Sequence, residues 1–188
     1  TNAWCDSELE TNITWNVLTG RSSILDGLEN LITEAPMTAP QNLLINGDFQ
    51  INQREQENYV SSGYTVDMWK AYKTNVNVIE NGVNANRNTT SENGFLTQII
   101  GDISRLKQYT ACAKINDRIC VWSFTPQTTL QRKSFNNFNL FSKLTNSNLE
   151  IGIELTTNTI LNIEYIRLYE GIIAYKGQKE DYSTALMR

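Results

Sequence analysis

Leu149-Glu150-Ile151-Gly152-Ile153-Glu154-Leu155-Thr156 sets an apolar side chain at every odd position and a polar residue or glycine at every even one. A period of two is that of an extended chain with one face in a core and the other in water. Working outward from it, short runs of the same kind, separated by polar turns, predict strands near 43–53, 64–73, 75–80, 95–100, 107–116, 118–125, 137–143, 148–156 and 159–169. Strands in this number with no long helix between them predict antiparallel sheets packed face to face, a mainly β, jelly-roll β-sandwich. The stretch 81–94, with almost no apolar content, is predicted as an exposed loop.

The pattern opens in the stretch from Gln41 to Trp69. Leu43, Ile45, Phe49 and Ile51 fall at even spacing, interrupted by Asn46-Gly47-Asp48, and predict a kinked first strand. Tyr64, Val66, Met68 and Tyr72 then alternate with Thr65, Asp67 and Trp69, after a Ser61-Ser62-Gly63 turn, and predict a second strand with these sets on opposite faces.

Asn42-Leu43-Leu44-Ile45-Asn46-Gly47-Asp48-Phe49, the Ile51-Asn52-Gln53-Arg54 run and Gly63-Tyr64-Thr65-Val66-Asp67-Met68-Trp69 resemble the opening strands of the carbohydrate-binding-module-like jelly rolls of bacteriophage tail and head-fibre proteins. Phe95 to Ile100, Thr110 to Ile115 and Ile163 to Gly171 are similar to that family's middle and closing strands in type and order. The resemblance covers roughly residues 41–188, and the ordered set carries it rather than any one motif. Met68 stands where the family most often has arginine, and Glu180 to Arg188 lack its usual cysteine and aromatic ending. It implies a non-enzymatic virion protein, assembled in a bacterial cytoplasm, whose jelly roll forms a homotrimer and binds host-surface glycans. A carbohydrate-binding module of a secreted glycan-degrading enzyme is the alternative.

Composition bounds the other function classes. The chain has 188 residues, 40% hydrophobic and 10% aromatic, enough for one domain with its own core plus a shorter appendage. Its net charge of −4, with no Lys/Arg cluster, argues against nucleic-acid binding, which needs a concentrated basic face. No apolar run approaches the ~18–20 residues that cross a bilayer, so no membrane partner is expected. Cys5, Cys112 and Cys120 are widely spaced and the chain has no histidine, which leaves little for a zinc site or for Cys/His catalysis. They read as reduced thiols.

Residues 1–36 differ from the remainder. Ile13, Trp15 and Val17 suggest a short strand, and Ile24, Leu25, Leu28, Leu31 and Ile32 give a short helix over about 23–34 a broad apolar stripe. A helix of this length needs a partner. The stripe packs either on its own sandwich or against two further copies about an axis. The segment is therefore assigned to attachment to other virion proteins or to oligomerisation. Ala35-Pro36-Met37-Thr38-Ala39-Pro40 breaks both helix and sheet, placing a linker at 37–40 before a domain at 41–188.

Asp48, Asp67, Glu150, Glu154, Glu164 and Glu170 could in principle supply a carboxylate pair, but each reads more simply as a turn or solvent-facing residue, and no catalytic residue is assigned. Sugar stacking is better motivated in a chain rich in Tyr, Trp and Asn. Trp69 and Trp122 read as core, leaving Tyr59, Tyr72, Tyr169 and Tyr175 as ligand-binding candidates. Modules of the resembled class often clamp a structural calcium ion near their chain ends, and Asp48 and Glu170 are the corresponding acidic positions. No other cofactor is expected.

Overall fold

The computed structural model of the protein describes residues 41–60 and 62–172. The N-terminal segment 1–36 with its helix, the linker 37–40 and Tyr175 lie outside the described residues. In chain order the first six strands are β1 (Asn58–Tyr59), β2 (Gly63–Tyr64), β3 (Lys70–Tyr72), β4 (Thr74–Ile79), β5 (Gly82–Arg87) and β6 (Gly94–Ile100). The next six are β7 (Tyr109–Ile115), β8 (Arg118–Phe124), β9 (Gln131–Ser134), β10 (Phe138–Thr145), β11 (Asn148–Leu155) and β12 (Leu161–Glu170). No helix occurs among the described residues.

These strands form two antiparallel six-stranded sheets, ordered β1-β4-β5-β12-β7-β8 and β2-β3-β6-β11-β10-β9. One hydrophobic core draws on both. The first sheet supplies Val76, Val83, Ala85, Ala111, Ala113, Ile115, Ile163 and Leu168, and the second supplies Leu96, Leu140, Leu144, Leu149, Ile151, Ile153 and Leu155. Each fully buried aliphatic side chain contributes about 1.5–3 kcal/mol of transfer free energy. The alternation in β11 is therefore what holds that strand face down.

Three expectations are corrected. The expected first strand over 43–53 is not a strand, because Asn46 and Phe49 take left-handed φ values of 52° and 55° and turn the chain. Leu44, Phe49 and Ile51 are still buried. The Leu43 N–H donates to the Leu168 carbonyl at 2.8 Å and the Ile166 N–H donates to the Gly47 carbonyl at 2.8 Å, so the segment lies along β12 beyond the point where β5 stops pairing with it. Nor does 64–73 alternate as one strand. Residues 65–69 form a turn in which the Trp69 N–H donates to the Val66 carbonyl at 3.0 Å, so Val66 and Trp69 are both buried while Met68, at φ 69°, is exposed.

The third correction concerns 81–94. Residues 82–87 are β5, an interior strand of the first sheet between β4 and β12. Val83 and Ala85 enter the core while Asn84 and Asn86 alternate with them outward, and Asn81 in the turn before β5 and residues 88–93 after it are what remain outside strands. Gly82 has to be glycine: its φ is 124°, and a Cβ there would sit 2.1 Å from the Ile163 carbonyl oxygen.

Candidate binding groove

The groove lies on the outer face of the second sheet, and the strand register builds it. Tyr72 stands opposite Phe95, and Lys70 opposite Thr97. Thr97 pairs with Gly152, which pairs with Phe141. Gly152 is the one outward position of β11 between Glu150 and Glu154 without a side chain, so a trough runs between Thr97 and Phe141. A Cβ at Gly152 would meet the Leu96 carbonyl oxygen at 2.0 Å, which also lets β6 and β11 approach closely.

Aromatic rings wall the trough. Phe95 and Phe141 meet edge to face with centroids 5.4 Å apart, and Tyr72 is tilted against Phe95 at 6.4 Å. Phe141 is buried and forms the floor, Phe95 is half-buried, and Tyr72 is 47% exposed at the rim. Leu130, from the residue before β9, closes one side, and Lys70, Lys143 and Glu150 complete a groove of about 340 Å³. The Lys73 ammonium lies 5.2 Å from the Tyr72 ring centroid and pairs with Glu92, which steadies the ring from outside.

One buried carboxylate ties together the strands at the groove's end. Glu154, 1% exposed, accepts from Arg132 Nε at 2.6 Å and Nη2 at 3.1 Å, from Asn139 Nδ2 at 2.7 Å and from Asn93 Nδ2 at 3.0 Å. Burial works against its charge, but the hydrogen bonds from Arg132, Asn139 and Asn93 outweigh it and hold the carboxyl below its ordinary value. The clamp joins β9, β10 and the 88–93 loop to β11, and so fixes the strands on which Phe141 and Glu150 stand.

Of the described residues expected to touch a ligand, Tyr59, Tyr72 and Tyr169, only Tyr72 is in this groove. Tyr59 is buried, and its hydroxyl donates to Asn52 Oδ1 at 2.6 Å. Tyr169 is also buried, opposite Thr110 on the other sheet. The two acidic positions are not brought to one point. Asp48 accepts from Arg167 Nε at its Oδ1 and from Arg167 Nη2 at its Oδ2, each at 3.1 Å, while Glu170, three residues on in β12, pairs at the surface with Lys107 at 2.7 Å. Among the described residues no group of three His, Cys, Asp or Glu side chains converges.

Phe95, Phe141, Lys70 and Lys143 are not among the candidates read from sequence, and Glu150 enters there only as one of the carboxylates that could form a pair. Their signal was present for Phe95, an aromatic residue at the outward parity of a strand whose inward positions are Leu96 and Ile100. Phe141 could be placed on the same face only through the pairing of β10 with β11 and of β11 with β6. Chemically, the groove offers ring faces for the C–H surface of a sugar, two ammonium donors and one carboxylate acceptor.

Compared with protein-family models and with curated proteins, the chain matches none.

Proposed function

We propose that the protein is a non-enzymatic binding module whose β-sandwich, of jelly-roll topology, presents the groove at Tyr72, Phe95 and Phe141 to a saccharide of a host cell surface. The observation that carries this reading is the open aromatic trough over Gly152, rimmed by Lys70, Lys143 and Glu150. Buried ring stacking supplies contact area at little entropic cost, and the rim groups give orientation. Among the described residues Glu150 is the one carboxylate lining the groove, and they offer no second acid there for a two-carboxylate hydrolysis.

The resemblance at residues 41–69, 95–100, 110–115 and 163–171 supports placing the module on a bacteriophage tail, baseplate or head fibre, as a homotrimer attached to other virion proteins through residues 1–36. Several weak sites on one particle bind by avidity. A secreted enzyme's accessory module would use the same groove as a monomer, and light scattering of the purified chain separates the two.

The test of the site is titration of the protein with oligosaccharides released from bacterial wall polysaccharide, followed by calorimetry. Tyr72→Ala is expected to weaken binding at least tenfold while leaving the fold intact. Equal binding by Tyr72→Ala and by Lys143→Ala would remove the groove as the site.

A further inference from the structure

The outer face of the first sheet carries a different chemistry. Asn58 stands opposite Asn77, Asn77 opposite Asn84, and Asn84 opposite Asn162, so four asparagines form one row across β1, β4, β5 and β12. Asn75 and Asn86 form a second row beside it. With strands ~4.8 Å apart and same-face residues ~7 Å apart along a strand, these side chains make a regular grid of amides.

The grid is costly to the fold. Asparagine is among the residues depleted from strands, and its concentration is what made β5 read as a loop. Where local preference and the structure disagree in this way, a functional cause is the first to consider. Among the described residues nothing accounts for the amides: Asn86 Nδ2 donates to the Arg87 carbonyl at 3.0 Å, but no side-chain hydrogen bond engages Asn58, Asn75, Asn77 or Asn84. They line a groove of about 270 Å³ that has no charged side chain in its wall among the described residues and is flanked by Val60 and Ile160, 71% and 61% exposed.

We infer that this amide grid is a second binding surface, taking an extended, uncharged polysaccharide chain. Each amide offers two donors and an acceptor, which match neighbouring hydroxyls, and the strand spacing is close to the advance of one pyranose ring along an extended chain. A charged ligand would find no counter-ion in the groove. A peptide adding to the sheet would need a free backbone edge, whereas the grid lies on the sheet's face and presents side chains only. Val60 and Ile160 cover the apolar faces of the rings. The surface lies on the opposite sheet from the Tyr72 groove and does not depend on it.

The experiment is nitrogen-15 NMR of the side-chain amide region with maltohexaose, cellohexaose and xylohexaose added separately to the full chain, and an oligogalacturonate as the charged comparison. The expected result is that at least one neutral hexasaccharide shifts the Asn77 and Asn84 amide signals and the oligogalacturonate does not. Asn77→Asp should then weaken binding at least tenfold, as should Asn84→Ser, which adds no charge and guards against misfolding of the first variant. Tyr72→Ala should leave this binding unchanged, which distinguishes it from the groove on the other sheet. The inference is overturned if no neutral hexasaccharide moves these amides, if Asn77→Asp and Asn84→Ser bind as the parent does, or if Tyr72→Ala abolishes the shifts.

Discussion

The β10–β11 hairpin and the segment 41–54 are both well anchored to the core, yet they are held by opposite means. The hairpin is periodic: eight residues of each strand pair in unbroken register, and Asn146, at φ 58°, makes the turn. Its stability comes from a backbone ladder and from apolar residues at every second place. The segment has no ladder. Asn42 Oδ1 accepts from the N–H of Leu44 and of Leu168, at 3.1 and 3.0 Å. Asn46 donates to the Ile51 and Asp67 carbonyls and accepts from the Ile51 N–H, and Gln98 from the opposite sheet holds both backbone groups of Ile45, at 2.8 and 2.7 Å. The Trp69 indole N–H donates to the Asn46 carbonyl at 2.9 Å. Irregular backbone can be buried when side chains take the place of a neighbouring strand.

Mutations at the two regions sharpen or break that contrast. The largest effect is expected at Asp48→Ala, which leaves the buried Arg167 guanidinium without its carboxylate. Burial opposes that charge and Asp48 more than offsets it, so the loss should cost about 3–5 kcal/mol in denaturant unfolding. Ile153→Ala, in the hairpin, should cost about 2–5 kcal/mol as a cavity, with no change in the unfolding of the segment relative to the rest. Asn46→Ala should cost about 1–3 kcal/mol by stranding the backbone groups of Ile51. If Asp48→Ala and Asn46→Ala both cost under about 0.5 kcal/mol, the level of ordinary surface changes, the segment is held by Leu44, Phe49 and Trp69 alone and the contrast fails.

A smaller effect is set by pH. The Glu154 carboxyl is lowered in the folded state, so it binds its proton less readily there than in the unfolded chain. Its contribution is complete above the unfolded value of about 4.3 and is lost as pH falls through the folded value. Glu154→Gln should flatten the fall in stability below pH ~4, read from melting temperature against pH. The smallest stability effect is expected at Tyr72→Ala, within about 0.5 kcal/mol, since the ring stands at the rim and not in the core.

The contrast also explains what could be read from the residues alone. The β11 alternation follows from local chemistry, a period of two, and so does the break between β7 and β8, which takes both Asn116 and Asp117 where the spacing predicts strand to 116, because their side chains tolerate left-handed φ. The segment 41–54 showed the same spacing, but its apolar residues reach the core through turns, which periodicity does not distinguish from a strand. β5 failed in the other direction. Two small apolar residues, Val83 and Ala85, suffice for an interior strand because β4 and β12 satisfy its backbone on both sides. Tyr72 was legible as an aromatic residue outside the apolar core, whereas Phe141 and Gly152 have no meaning for a groove until β10, β11 and β6 are known to be neighbours.

By itself the sequence determined that this chain folds as layered antiparallel strands, because side-chain alternation is a property of consecutive residues. Only the tertiary structure decided which strands adjoin, and with that the aromatic trough on one sheet, the amide grid on the other and the burial of Asp48 against Arg167. Each of these joins residues from distant parts of the chain across a register that consecutive residues do not encode.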